Sequence, residues 1–133
     1  MSSTILIVED HQAVRNSLRD WLEAVFPQCD VMEAASGEEA VVIARARSPR
    51  VIVMDIGLPK MNGIEATRQI KAIVPTAQVV ILTIHEEEAY RADAITAGAI
   101  AYIPKREMQT ELVPTLVALL SEEKDCPGAR QAG

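Results

Sequence analysis

The chain has 133 residues, enough for one domain with a single sizeable core, and its net charge of −6 argues against binding nucleic acid or an anionic membrane through this segment itself. Hydrophobic residues make up 49% but aromatics only 3%, so the core is expected to rest on Val, Ile, Leu and Ala, a composition suited to buried parallel strands under Ala-containing helices. No apolar run reaches the roughly 18 to 20 residues that span a bilayer, and Cys29 and Cys126 are too few for a disulfide framework or a zinc site. With no signal-peptide pattern at the N-terminus, the expectation is a cytoplasmic protein with reduced thiols.

The first predicted strand is Thr4-Ile5-Leu6-Ile7-Val8, whose continuous apolarity marks burial on both faces. Val14, Leu18, Trp21, Leu22 and Val25 then form a stripe at helical spacing, with Trp21 expected in the core. The second strand, Val31 to Ala34, is partly polar and reads as nearer an edge. Ala40, Val41, Ile43 and Ala44 predict a second helix ending before Ser48-Pro49. A third buried strand, Val51 to Met54, precedes a helix carrying Ile64, Ala66, Thr67, Ile70 and Ile73, opened by Asn62 as a cap and closed before Pro75.

The fourth strand is Gln78 to Leu82. The helix after it, Glu87 to Ala97, is nearly all Ala and charge, so it is expected to be weakly held, with Ile95 as its one large aliphatic anchor. Gly98 ends it in the manner of a helix C-terminus. A fifth strand is read at Ile100 to Ile103, followed by a helix with Met108, Leu112, Leu116, Leu119 and Leu120. Pro114 requires that helix either to start near Thr110 or Glu111 or to kink. Five alternations of strand and helix predict an α/β domain, a five-stranded parallel sheet in the order 2-1-3-4-5 flanked by five helices. Residues 1–122 form the predicted domain and 123–133 a disordered linker or tail.

In such a sheet ligands bind at the carboxyl ends of the strands. Glu9-Asp10, Asp55, Thr83 and Lys105 all fall there, from four different strands. Clustered carboxylates repel unless one is protonated or a cation joins them. A hard ion such as Mg²⁺ suits oxygen ligands shared with phosphoryl oxygens, and a carboxylate can attack phosphorus to give an aspartyl phosphate. A lysine and a hydroxyl can then neutralise and hold the transferred oxygens.

Four segments carry a family resemblance: Ile5 to His11, Val53 to Gly63, Ile81 to Thr83, and Gly98 to Lys105. Together, in order and at these strand ends, they resemble a response-regulator receiver domain of two-component signalling over residues 4–121, and Met61 to Arg68 further resembles the NarL/FixJ-type subfamily. The resemblance implies a flavodoxin-like fold, Asp55 as phospho-acceptor, and Mg²⁺ held by Glu9, Asp10, Asp55 and the backbone carbonyl of Gly57. It implies Thr83 as switch hydroxyl, Lys105 as phosphate contact, Tyr102 as switch aromatic, and Gly57 and His85 as positions that tune hydrolysis. It also implies a sensor histidine kinase as donor, homodimerisation on phosphorylation, and a helix-turn-helix output domain beyond this segment that binds DNA. The domain would be a switch rather than an enzyme, promoting only its own phosphorylation and dephosphorylation.

Two departures from the family pattern stand out. Pro104 precedes the lysine and Arg106 follows it, where many receivers have a proline after the lysine. Ile84 is large where a small residue is usual and is expected to narrow access, so that Ile84→Ala would speed phosphorylation by a small donor. A haloacid-dehalogenase-type phosphatase needs a second Asp two residues after the nucleophile, and Gly57 stands there instead. The competing reading is an interaction module that keeps the fold without the phosphate chemistry.

Overall fold

A computed structural model describes residues 3–124, the side chains of 122–124 excepted. Its elements run β1 (Thr4–Val8), α1 (Gln12–Val25), β2 (Asp30–Ala34), α2 (Gly37–Arg47), β3 (Val51–Met54), α3 (Gly63–Ile73), β4 (Gln78–Thr83), α4 (Glu88–Ala97), β5 (Ala101–Pro104), a 3-10 turn (Lys105–Glu107) and α5 (Met108–Lys124). All strand pairs are parallel, in the order β2-β1-β3-β4-β5. The sheet and helix order expected from the strand–helix alternation is the one observed.

Alternate strand residues point to opposite faces, which divides the core in two. Leu6, Val8, Ile52, Met54, Val79, Ile81 and Tyr102 pack beneath α2, α3 and α4. Ile5, Ile7, Val51, Val53, Val80, Leu82 and Ile103 pack beneath α1 and α5. The central strands are buried on both faces, which is why β1, β3 and β4 read as unbroken apolar runs.

Local chemistry sets the helix ends. Ser36 caps α2 by accepting from the Glu39 amide, while Glu39 reaches back to the Ala35 amide at 2.8 Å. Asn62 caps α3 by accepting from Glu65 N–H at 2.9 Å. Gly98 closes α4 at φ 117°, a left-handed position suited to glycine, and a Cβ there would come within 2.7 Å of Lys71 Cγ. The Lys71 ammonium beneath it donates to the carbonyls of Pro75 and Ala77.

Several side-chain expectations are corrected. Along α1, Leu18 and Leu22 are buried, but Val14 and Val25 are exposed and Trp21 only half-buried; Phe26, just past the helix, takes the remaining core place. Ile95 does not anchor α4, being 47% exposed, because Ala94 and Ala97 face the sheet and Ile95 follows a third of a turn away. β5 is Ala101 to Pro104, one residue later than read, and the proline is accommodated because β5 is an edge strand. α5 starts at Met108 and holds Pro114 in its interior rather than its first turn. It continues to Lys124, past the expected domain boundary, and the rest of the predicted tail, with Cys126, lies outside the described residues. No helix among the described residues is long and apolar enough to cross a membrane.

Candidate functional site

The sheet delivers its polar residues to one edge because each strand runs out of apolar residues at its carboxyl end. Glu9 follows β1, Asp55 follows β3, Thr83 ends β4, and Lys105 follows β5. These include the buried polar and charged side chains of the strand ends: Glu9 is 1% exposed, Asp55 8% and Thr83 not at all. Buried carboxylates require partners. Lys105 supplies one, its Nζ lying 3.0 Å from Glu9 Oε1 and 3.8 Å from Asp55 Oδ2.

The lysine therefore sits closer to Glu9 than to the acceptor candidate. Glu9 is otherwise saturated, its Oε2 accepting from the His11 amide at 3.0 Å and lying 3.1 Å from His11 Nδ1. Burial pushes the Glu9 carboxyl up, but the His11 amide and the Lys105 ammonium outweigh it and the net shift is downward. Asp55 has a weaker set, Gly57 N–H donating to Oδ1 at 3.4 Å with Lys105 nearby. Burial pushes its carboxyl up, Lys105 opposes, and Glu9 and Asp10 add to the rise. One acid is held ionised and the other is destabilised as an anion.

Asp10 completes the acidic group, its Oδ1 buried without a hydrogen-bond partner. Ligand atoms of Glu9, Asp10 and His11 lie within 4.8 Å of one another. The Asp10 oxygen without a hydrogen-bond partner, an under-satisfied Asp55 and the convergence of three carboxylates fit a hard divalent cation such as Mg²⁺. Glu9, with both oxygens engaged, is the least available ligand of the expected set. His11 has a 73% exposed side chain yet contacts both acids, its Nδ1 lying 3.1 Å from Glu9 Oε2 and 3.5 Å from Asp10 Oδ1.

Beside the acids, Thr83 Oγ1 accepts from the His85 amide at 3.0 Å. Tyr102 is 8% exposed, and its hydroxyl donates to the His85 carbonyl at 2.7 Å. Both expected switch residues thus hold the same peptide segment after β4. The His85 ring meets Tyr90 of α4 with centroids 4.9 Å apart, and its Nε2 would lie 3.8 Å from a Cβ on Gly57. The two expected tuning positions therefore face each other. The Arg91 guanidinium of α4 lies 5.7 Å over the Tyr102 ring.

Ile84 is 71% exposed, so most of its bulk stands in solvent rather than against the acids. Arg106 forms a two-pronged pair with Glu86, at 2.8 and 2.9 Å, joining the turn that carries Lys105 to the loop after β4. Two residues to which the sequence reading gave no role belong to this region. Arg15 donates to the Glu9 carbonyl at 2.8 Å and to Glu33 at 3.0 Å. Gly63 brings the start of α3 against the backbone of Asp55, where a Cβ would fall far inside contact distance of the Asp55 carbonyl oxygen.

Comparison with known proteins gives one answer throughout. Residues 5–117 match the response regulator receiver domain family. The transcriptional regulatory protein DegU of Brevibacillus brevis is 35% identical over 119 residues, covering 89% of this chain and 50% of that protein. The response regulator UvrY of Escherichia coli O157:H7 is 34% identical over 120 residues, 90% of this chain and 55% of the relative. The chain thus spans about half the length of the curated relatives it matches. The crystal structure of a LuxR-family two-component response regulator from Aurantimonas sp. SI85-9A1 superposes with a TM-score of 0.84 at 36% identity, covering 92% of this chain and 87% of that one.

Proposed function

We propose, from the premise that the chain belongs to the response regulator receiver domain family, that Asp55 accepts a phosphoryl group and that the acceptance is read out through α4. The observation carrying this is the convergence of Asp55, Glu9 and Lys105 from three strand ends, with Lys105 bridging the two acids and Asp10 Oδ1 left without a hydrogen bond. A carboxylate oxygen of Asp55 attacks phosphorus, the bond from phosphorus to the donor breaks, and the donor leaves with the electron pair. Weak local stabilisation of the Asp55 anion suits a nucleophile, which gains when its charge is dispersed into a phosphoryl group. Lys105 is placed to follow the added oxygens while keeping Glu9 within reach. Asp10, Asp55, the Gly57 carbonyl and, once freed from Lys105, Glu9 would hold Mg²⁺. When bound, that ion neutralises charge on the phosphoryl oxygens.

Phosphorylation adds about −1.5 to −2 charges and three acceptor oxygens. Thr83 now accepts from His85 N–H, which leaves its own O–H free to donate to those oxygens if the side chain moves towards them. A Thr83 that moves carries with it the segment it is bonded to, whose carbonyl holds Tyr102 and whose ring meets Tyr90. Helix α4 is reached through both contacts. The donor we infer is a sensor histidine kinase, and the longer relatives named as transcriptional and response regulators support a DNA-binding output domain controlled by the switch; we infer homodimerisation of the phosphorylated form as well.

The test is the intact mass of wild type and Asp55→Asn after incubation with acetyl phosphate, with and without Mg²⁺. A phosphoryl adduct on wild type alone, dependent on Mg²⁺, is expected. No adduct, together with no beryllofluoride binding, would leave an interaction module without phosphate chemistry.

A further inference from the structure

The peptide that joins Glu9 to Asp10 is held from outside the acidic group. Beyond the last residue of β1, Glu9 N–H still pairs with the Ala34 carbonyl at 3.1 Å, but the Glu9 carbonyl lies past the strand and needs another donor. Arg15, on the first turn of α1, provides it through Nη1 at 2.8 Å. Its Nε is held in turn by Glu33 Oε1 at 3.0 Å, eighteen residues away on the edge strand β2, and Glu33 also accepts from Arg19. With side-chain exposures of 15% and 23%, Arg15 and Glu33 are not a solvated surface pair.

The geometry points to Arg15 as a positioning residue for the metal: by holding the carbonyl of the planar Glu9–Asp10 peptide, its guanidinium fixes the direction in which the Asp10 carboxylate is presented. The peptide plane is rigid, so fixing its oxygen fixes the start of the Asp10 side chain. Two donors of one planar fork meet two acceptors on different elements, a job that an ammonium on a flexible stem cannot repeat. Glu33 anchors the fork and sits where an edge strand leaves room for a carboxylate. This rests on the reading of Glu9 and Asp10 as the metal-side acids.

The test is Mg²⁺ affinity of the unphosphorylated protein, measured by titration calorimetry, for wild type, Arg15→Lys, Arg15→Met, Arg19→Lys and Asp10→Asn. Arg15→Lys and Arg15→Met are both expected to bind Mg²⁺ about tenfold more weakly, the size typical of lost outer-sphere support. Charge alone predicts otherwise, because removing a cation near acids would tighten Mg²⁺ binding and a lysine would leave it unchanged. Arg19→Lys, which alters the same Glu33 partner without touching the Glu9 carbonyl, is expected to keep wild-type affinity. Wild-type affinity in Arg15→Lys, or tighter binding in Arg15→Met, overturns the positioning role while the site itself stands. Failure of wild type to bind Mg²⁺, or binding that survives Asp10→Asn, removes the metal site and the positioning role with it.

Discussion

Helices α3 and α4 follow one another on the same side of the sheet, yet they are held by different means. α3 buries Gly63, Ile64, Ala66, Thr67 and Ile70, and its first turn is capped by Asn62. α4 buries Ala94 and Ala97, has no side-chain cap at Glu87, and meets the site through Tyr90 against the His85 ring and through Arg91 over the buried Tyr102 ring. Apolar burial gives α3 a large and nondirectional hold. Ring and cation contacts at a half-exposed surface give α4 a small hold that depends on where His85 and Tyr102 are. The difference places the lightly seated helix next to Thr83 and Tyr102 and the firmly packed one against Asp55.

The same substitution in both helices should give the largest contrast. Ile70→Ala, at a fully buried position, is expected to cost about 2 to 5 kcal/mol in urea unfolding. Ile95→Ala should stay within about 0.5 kcal/mol; equal losses would mean that α4 is packed as firmly as α3. Next in size, Asn62→Ala should cost about 1 kcal/mol by removing the α3 cap. Glu87→Ser, which offers α4 the cap it lacks, should gain roughly 0.5 kcal/mol and slow amide exchange in α4 alone. If exchange there is unchanged, the missing cap is not what leaves α4 loose.

The last contrast is read by sign, between the acids that precede the two halves of the site. Asp55, raised above its ordinary value of 3.8, binds its proton more tightly folded than unfolded, so its ionisation costs stability. Asp55→Asn should therefore melt above wild type at neutral pH, the gap closing as the pH falls towards that ordinary value and absent below it. Glu9, lowered from 4.5, contributes stability that is present above that value and lost as acid protonates it in the fold. Glu9→Gln should melt below wild type at neutral pH and converge with it in acid. Melting curves of the two variants that move together would contradict the division of labour between these acids.

Much of this was legible in the chain because its signals are local. Strands buried on both faces read as unbroken apolar runs, Asn62 caps three residues before the amide it serves, and the strand-end position of Asp55 and Thr83 follows from the topology. Relations between distant residues were not legible. The Arg15–Glu33 fork depends on an edge strand lying beside α1, and nothing in either segment announces the other. Lys105 settling nearer Glu9 than Asp55 depends on the relative reach of two strand ends. Ile95 misled for another reason: size suggested an anchor, but in a helix so rich in alanine the phase of the buried face is set by close approach, which favours Ala94 and Ala97.

Gly63 gives the acceptor a fixed abutment. Its amide donates to the Ile56 carbonyl at 3.0 Å, and its bare α-carbon lets the start of α3 rest on the Asp55 backbone. With α3 itself seated in the core, the turn below Asp55 has no slack in that direction. A load applied at the Asp55 carboxylate is therefore borne on one side by a wall and on the other by a loop and a lightly seated helix. Were Asp55 phosphorylated as proposed, the asymmetry would act as a ratchet's backstop does, giving the change of charge at one atom a direction of travel.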